Sequence, residues 1–263
     1  MSRRAATLVL AEAVVVALAF ALWGLLSAGS HSIYFPPLTE ILTSFRENWL
    51  FAHFSDDVLP SLERIMLGFL LAIVLGVGVG IALGSSRAAL RALGPPLEFV
   101  RAIPPPALVP FMLLVFGIGD TAKVFLIVLG CVWPILLGTI DGVSGIDPVT
   151  GDTARAYGIA GPRRLFGITL PAASPQIVAG MRTSLSLAVI LMVVSEMVGS
   201  TDGVGHFIVE AQRSFAITDM WSGILLLALI GYVLNLAFEL GERRVLRWHR
   251  MRRESDGGAR ELV

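Results

Sequence analysis

The sequence predicts an all-α membrane protein with six transmembrane helices. Hydrophobic residues make up 55% of the 263-residue chain and charged residues only 15%, and the mean hydropathy is +0.78. A soluble domain of this size is about one quarter charged. Two further observations support six spans: the lengths of the apolar stretches and the one-sided distribution of arginine.

Six apolar stretches are separated by polar or proline-rich segments, at about 7–26, 62–84, 107–116, 121–140, 177–198 and 221–237. A helix needs about 20 apolar residues to cross roughly 30 Å of hydrocarbon. The third stretch is too short alone, so we expect it to extend back through Ile103 and prolines 104–106 as a kinked segment. The first stretch could instead be a signal peptide, because Arg3 and Arg4 precede it and small residues follow at 27–29.

The arginines indicate how the spans are oriented. If the N-terminus is cytoplasmic, the inside segments carry 15 arginines and the outside segments only Arg46 and Arg213. Cytoplasmic loops of membrane proteins carry an excess of basic residues, and an odd number of spans would destroy the asymmetry. The sequence therefore predicts a multi-pass protein of the cytoplasmic (inner) membrane, surrounded by lipid, with both termini in the cytoplasm.

Composition also argues against several kinds of site. The formal net charge is zero, so nothing indicates a nucleic-acid partner. Cys131 is the only cysteine, which excludes a disulfide or a zinc framework within one chain, and the four histidines are scattered, so no metal site is predicted. The outer segment 30–60 has apolar residues at helical spacing, which predicts a short helix on the outer surface.

The most informative region is the predicted cytoplasmic loop 141–176. Asp147 and Pro148 are typical of a helix start, because aspartate can cap free N–H groups and proline suits the first helical position. Gly158 suits the left-handed position that ends a helix, and a second short helix is predicted at 162–166. The small residues of the first helix could let another protein approach closely, or this helix could be an ordinary connector.

The loop carries a longer pattern, Asp152-Thr-Ala-Arg-Ala-Tyr-Gly158 followed after eleven residues by Leu170-Pro171. This pattern resembles the EAA loop of ABC-importer permeases, except that Asp152 replaces the usual glutamate and Thr153 the first alanine. Other family-like pieces follow in the expected order over about 58–247: Ser61-Leu-Glu-Arg64 with Gly68, Arg101-Ala-Ile-Pro-Pro105, Phe116-Gly-Ile-Gly119, Pro134-Ile-Leu-Leu137, Ser195-Glu-Met197 and Gly203-Val-Gly205. The sequence is most similar to the branch that imports nitrate, sulfonates, taurine and pyrimidine precursors.

The resemblance implies the type I ABC importer permease fold and a set of partners. Two cytoplasmic ATP-binding subunits would grip the loop helix, a second permease copy or homologue would complete the pathway, and an extracytoplasmic substrate-binding protein would deliver a small anionic or zwitterionic organic solute. Arg155 could pair with an acidic group of the ATPase or remain solvated. The implied coupling residues are Asp152, Thr153, Ala154, Arg155, Ala156, Tyr157, Gly158, Leu170 and Pro171.

The resemblance also implies a division of the chain into three parts. Residues 1–57 would hold the N-terminal transmembrane helix and an outer-surface connector. Residues 58–247 would form the ABC type-1 permease domain, with its EAA loop at 147–171. Residues 248–263 would be an arginine-rich cytoplasmic tail.

The energy for uphill transport must come from outside this chain. A nucleotide-binding P-loop needs the sequence GxxxxGK[ST], whereas the only lysine, Lys123, follows Asp120-Thr-Ala. The chain is therefore predicted to be a transport subunit rather than an enzyme, with no cofactor of its own. ATP and Mg would be bound by the partner ATPase.

Ionisable and small residues inside the spans are further candidates. Glu196 lies near the outer end of the fifth span, where a buried charge is costly and indicates function by default. Together with Met192 and Ser195 it could line the pathway or its gate; alternatively it makes an interfacial or interhelical hydrogen bond, and Met192 merely packs. A small-xxx-small pattern, which predicts close helix packing, is formed by Gly76, Gly80 and Gly84.

Three other classes of membrane protein are the alternatives. A secondary transporter would favour internal repeats and paired charges at mid-membrane, and a channel would favour a filter or a ring of like charges. A membrane enzyme would need a nucleophile or a metal constellation. None of these features is evident in the sequence, and neighbouring reading frames for a P-loop ATPase and a secreted binding protein would decide for an importer.

Overall fold

The structure, a computed structural model, describes residues 3–29 and 32–246, and every regular element in these residues is helical. The helices are α1 Arg3–Ser27, α2 Leu38–Glu47, α3 Leu59–Gly84, α4 Arg87–Arg101, α5 Val109–Phe116, α6 Asp120–Ser144, α7 Pro148–Ala156, α8 Gly161–Arg164, α9 Leu170–Gly199, α10 Val204–Arg213 and α11 Ile217–Val245. Short turns join several of them: π-helical turns at Asn48–Ala52, Phe54–Val58 and Leu165–Thr169, and a 3-10 turn at Pro105–Leu108.

Four helical stretches are long and apolar enough to cross a membrane: Phe54–Gly84, Asp120–Ser144, Gly161–Gly199 and Ile217–Val245. A fifth candidate is a broken pair, α4 with α5, bent by 73° at the prolines. The first predicted stretch falls within the 25-residue α1, whose first side chains lie outside the described residues. The predicted all-α membrane fold is confirmed, and each predicted apolar stretch lies in helical structure.

The centre of the bundle is formed by α3, α6 and α9. The predicted small-xxx-small strip of α3 lies directly against α6. A Cβ atom added to these glycines would come within 2.9 Å, 2.5 Å and 2.9 Å of α6 side chains, for the pairs Gly76–Ile135, Gly80–Thr139 and Gly84–Val143. Glycine therefore lets the two helices approach more closely than any larger residue would.

At the end of the bundle where α3 begins, α2 packs against α11. Trp49 is 2% exposed, and its indole N–H donates to the Ser222 hydroxyl at 3.1 Å. Its ring meets Phe207 of α10 edge-on, with ring centroids 4.5 Å apart. The segment predicted as a surface helix is thus a packed part of the fold.

The α4 helix is an element that the apolar stretches do not predict. Arg87, Arg91 and Arg101, which are among the 15 inside arginines, lie on α4. This helix begins where the Ser86 hydroxyl accepts the Ala89 N–H at 3.2 Å, and its Leu90 and Leu97 pack against a cluster of Leu83, Leu136 and Ile140. Its side chains are all at least partly exposed, including the apolar Leu93, Phe99 and Val100. Its charges and prolines lower the mean hydropathy of α4, so it does not stand out as an apolar stretch. Together with α5 it forms a broken span or a re-entrant loop.

Candidate functional site

Both ends of the α7 helix are capped by residues directly adjacent to it. The Asp147 carboxylate accepts a hydrogen bond from the Val149 N–H at 2.8 Å, and Pro148 occupies the first turn. The Thr153 hydroxyl donates to the Val149 carbonyl at 2.8 Å. Because the first turn satisfies itself, the helix starts where the sequence predicts without help from a neighbouring element.

The end of α7 is fixed by Gly158, which has a φ of +66°. Its N–H donates to the Arg155 carbonyl at 3.0 Å, and the Ile159 N–H donates to the Ala154 carbonyl at 2.8 Å. These two bonds form a Schellman cap. A Cβ atom at position 158 would meet nothing within 4 Å, so glycine is required for its backbone conformation and not for space.

Most of the α7 surface points away from the rest of the chain. Ala154 is 2% exposed, whereas Val149 is 67% and Tyr157 79% exposed. Arg155 hydrogen-bonds to Asp152 on its own helix, and both side chains are exposed. The α7 helix thus rests on one alanine, caps its own ends and leaves its remaining surface exposed.

The segment after α7 leads directly into the longest span. The second short helix predicted at 162–166 begins at Gly161 instead and continues through a π-helical turn into α9. Leu170 and Pro171 form the first turn of α9. A cleft of about 510 Å³ lies between α7 and the ends of α3 and α6, and its charged lining residues are Arg87, Asp147, Asp152, Arg155 and Arg164.

The opposite end of the bundle holds what we call the ion cluster: Ser61, Arg64, Asp120, Lys123, Glu196 and Asp202. Arg64 is its centre and is 3% exposed. The guanidinium donates from Nε to Asp120 at 2.7 Å, from Nη1 to Glu196 at 2.7 Å and from Nη2 to Asp202 at 2.5 Å. Its planar fork of donors thereby ties α3 to α6, to α9 and to the loop after α9.

Glu196 is 1% exposed and accepts hydrogen bonds from three directions. Besides Arg64, the Ser61 hydroxyl donates to Oε1 at 2.8 Å and the Gly205 N–H donates to Oε2 at 3.0 Å. The Ser61 oxygen also accepts the Val204 N–H at 3.0 Å. The buried carboxylate is therefore fully partnered, as buried polar groups in folded proteins generally are.

Lys123 adds a second positive charge to the ion cluster. It is 3% exposed, and its Nζ lies 3.7 Å from the carboxylates of both Asp120 and Asp202. Asp202 lies in the loop after α9. Partial burial opposes ionisation of its carboxyl, but the hydrogen bond and charge of Arg64, together with the charge of Lys123, outweigh burial and lower its pKa below the ordinary value. The cluster therefore pairs two cations with three carboxylates.

The loop after α9 is anchored a second time by Asp57. The Gly203 N–H donates to Asp57 Oδ1 at 2.8 Å, and His53 Nδ1 lies 2.8 Å from Asp57 Oδ2. Gly203 has a φ of +102°, which side-chain-bearing residues rarely adopt. The loop is thus held in one conformation by backbone geometry as well as by charge.

The ion cluster has the chemistry of a structural site that joins helices. No buried side-chain nitrogen or oxygen among the described residues lacks a hydrogen-bond partner. Within the same residues there is no group of three or more His, Cys, Asp or Glu side chains suited to a metal ion. Carboxylates that are already bonded to Arg64 are placed to hold helices together.

The three predicted pathway residues all lie inside the bundle. Met192 is 0%, Ser195 4% and Glu196 1% exposed, and the Ser195 hydroxyl donates to the Met192 carbonyl at 2.7 Å. Glu196 makes the interhelical hydrogen bonds that were one of the two interpretations of its sequence position. A role of these residues in a pathway or gate stays a prediction.

Arg64, Asp120, Lys123 and Asp202 have no role in the sequence-based prediction. A signal for them exists: Arg64, Lys123 and Glu196 lie at the same end of three different predicted spans, where unpaired charges are costly. Their pairing cannot be derived from spacing, because Arg64 and Glu196 are 132 positions apart.

Comparison with known proteins shows the family. Residues 68–248 match the family described as the binding-protein-dependent transport system inner membrane component. The chain is 33% identical over 88% of its length to the putative aliphatic sulfonates transport permease protein SsuC of Bacillus subtilis, covering 85% of that protein. It is 32% identical over 82% of its length to the taurine transport system permease protein TauC of Escherichia coli, covering 81%, and 32% identical over 73% to the bicarbonate transport system permease protein CmpB of Synechococcus elongatus, covering 69%.

Solved structures share the fold. An inward-facing structure of the MetNI methionine ABC transporter aligns with a TM-score of 0.63 at 21% identity, over 72% of this chain and 94% of that one. An amino acid ABC transporter aligns with a TM-score of 0.53 at 17% identity, over 79% of this chain and 96% of that one. These likenesses confirm the predicted type I importer fold. The chain belongs to the inner membrane components of binding-protein-dependent transport systems, and it is the membrane-spanning permease subunit of an ABC importer, not an enzyme.

Proposed function

We propose that this permease imports a small anionic or zwitterionic organic solute and takes its energy from two cytoplasmic ATPase subunits that grip α7. ATP and Mg²⁺ would bind to those subunits. A second copy or homologue of the permease would complete the pathway, and an extracytoplasmic binding protein would deliver the solute.

The exposed, self-capped α7 carries this proposal. Only Ala154 of this helix is buried, and Tyr157 at its end is 79% exposed. An ATPase that closes on ATP can pull such a helix as a rigid body, because the Asp147 and Gly158 caps keep it folded without a neighbour. Closure would draw the two docked helices together and rock the spans, which is alternating access driven by differential affinity for the closed ATPase.

The location of α7 supports a cytoplasmic role. The basic residues that flank the bundle concentrate at this end, at Arg87, Arg155, Arg163, Arg164, Arg243 and Arg244. By the positive-inside rule this is the cytoplasmic end. We therefore place the chain in the inner membrane with both termini inside, and the ion cluster on the outer side.

The solute class rests on the relatives. The related permeases are described as transporting aliphatic sulfonates, taurine and bicarbonate. All three solutes carry a compact oxyanion, and taurine carries an ammonium group as well. We therefore propose an oxyanion-bearing solute for the present chain.

The direct test of the coupling proposal is Gly158→Val, with Gly167→Val as matched control. Both positions lie in the segment between α6 and α9, and a Cβ atom meets nothing within 4 Å at either, but only Gly158 has a positive φ. Valine is strongly disfavoured in the left-handed region, so we expect Gly158→Val to distort the end of α7. The measurement is co-purification of the ATPase with the inserted permease, followed by ATP-dependent uptake.

We expect Gly158→Val to insert normally but to lose the ATPase and uptake, while Gly167→Val retains both. Normal ATPase binding and uptake in Gly158→Val would contradict the docking proposal. Uptake by the wild-type complex in the absence of ATP would contradict the importer assembly itself.

A further inference from the structure

The span made of α4 and α5 breaks where the backbone cannot complete its hydrogen bonds. The helices meet at a 73° bend. In a continuous helix the carbonyls of Arg101 and Ala102 would accept from residues 105 and 106, but both are prolines and have no N–H. The sequence therefore forces free carbonyl groups at the bend.

The bend lies near the middle of the bundle. The Pro105 ring comes within 3.3 Å of the position that a Cβ atom of Gly130 would occupy. Gly130 is the eleventh residue of α6, which begins at Asp120, so the bend lies about 15 Å from that end of α6 at 1.5 Å per residue. On the α4 side of the bend, Leu97 packs toward Leu136 in the second half of α6.

The bend is not covered by this chain. Residues 101–104 are all exposed. The side chains of Arg101 and Glu98 are 44% and 57% exposed, and they form an ion pair with 2.7 Å between Nη2 and Oε2. Charges and free carbonyls at mid-membrane are tolerated only where they face water or another protein. The Glu98–Arg101 side of α4 therefore faces water or another protein, not hydrocarbon.

We propose that residues 98–106 line the solute pathway and that the Arg101 guanidinium binds the oxyanion of the solute at mid-membrane. This inference rests on the proposed function, because it takes its solute class from there. A guanidinium matches a sulfonate or carboxylate with two parallel hydrogen bonds. Glu98 Oε2 pairs with one nitrogen of this guanidinium. We expect an arriving oxyanion to replace it, and Glu98 then to accept from the ammonium group of a zwitterion.

Thiol labelling tests whether the bend faces water. In a Cys131→Ala background, Arg101→Cys is compared with Leu71→Cys. Leu71 is 48% exposed and lies at a similar depth, because its α3 neighbours Gly68 and Gly76 contact Ile127 and Ile135 of α6. The probe is the anionic reagent sulfonatoethyl methanethiosulfonate, which needs an ionised, water-accessible thiol.

We expect Arg101→Cys in the assembled complex to react several-fold faster than Leu71→Cys. Equal or slower reaction at position 101 would overturn the pathway assignment. This readout does not depend on which solute is imported, so it stands even if the proposed solute class is wrong.

Uptake tests the role of the guanidinium. Proteoliposomes of the complex with its ATPase and binding protein are offered taurine, ethanesulfonate and bicarbonate in turn. For any probe that the wild type imports, Arg101→Gln should lower uptake about tenfold or more, which corresponds to one lost charge-assisted hydrogen bond. Arg101→Lys should keep part of the activity.

The control is Arg91→Gln on the same helix, where the side chain bonds to the Arg87 carbonyl at 3.2 Å; it should import normally. Wild-type uptake by Arg101→Gln would overturn the assignment. If the wild type imports none of the probes, the proposed solute class fails, and the labelling result still decides whether the bend lines the pathway.

Discussion

The polar groups at the two ends of the bundle find their hydrogen-bond partners in opposite ways. In the ion cluster, Arg64 and Glu196 are almost fully buried and find their partners on three helices and a loop. In α7, the polar groups find partners within one short helix, and most of its surface stays exposed. Bonds that cross between helices fix the bundle, whereas bonds that close within a helix leave a rigid surface for a partner.

The same contrast separates stability from coupling. Damage to the ion cluster should destabilise the permease wherever the ATPase is. Damage to α7 should leave the permease folded and remove the ATPase.

Arg64→Leu should destabilise the isolated permease most. It leaves Glu196 buried without the cation that hydrogen-bonds to it, and breaking one partner of a buried ion pair costs about 3–5 kcal/mol. Denaturant unfolding in detergent measures the change, with the exposed outer arginine variant Arg213→Leu as control. The double variant Arg64→Leu/Glu196→Leu should recover part of the lost stability. A double variant no more stable than the single variant would contradict the role of the ion cluster in holding the helices together.

Gly80→Val should come next, because the added side chain collides with α6. A Cβ atom there would lie 2.5 Å from Thr139, whereas one at Gly78 would meet nothing within 4 Å. Overpacking of this kind costs about 1–3 kcal/mol. The unfolding midpoints of Gly80→Val and Gly78→Val provide the comparison, and equal midpoints would show that α3 and α6 are not in close contact.

These two sites also show why the sequence predicts one end of the molecule better than the other. The α7 helix is specified by Asp147, Pro148 and Gly158, which act on their own backbone, so its bounds can be predicted from adjacent residues. The ion cluster joins residues up to 138 positions apart, and no local pattern specifies which helix ends meet.

The spans divide in the same way. Continuous apolar stretches made α3, α6, α9 and α11 predictable, because hydropathy is a local property. The α4 helix was not predicted, since Pro95, Pro96 and its charged residues lower its mean hydropathy. The short α10 also escaped, because its start at Gly203 has no capping side chain.

Asp202 gives a smaller effect that depends on pH. Its carboxyl has a pKa below the ordinary value, so it binds its proton less readily in the folded permease than in the unfolded chain. Its stabilising contribution is therefore complete above the ordinary pKa of about 3.9 and is lost as the pH falls through the lower, folded value. We expect the difference in unfolding midpoint between wild type and Asp202→Asn to be constant from neutral to mildly acidic pH and to shrink at lower pH. A difference that shrinks already near neutrality would contradict the assignment.

Photocrosslinking from α7 in the assembled transporter tests whether this helix docks on the ATPase. A benzophenone amino acid replaces either Tyr157, which is 79% exposed, or Phe215 between α10 and α11, which is 74% exposed. We expect an ATPase adduct from position 157 and none from position 215, because of the two positions only 157 lies at the end of the bundle where we propose that the ATPase binds. An intact complex that gives no ATPase adduct from position 157, or gives equal adducts from both positions, would contradict the account.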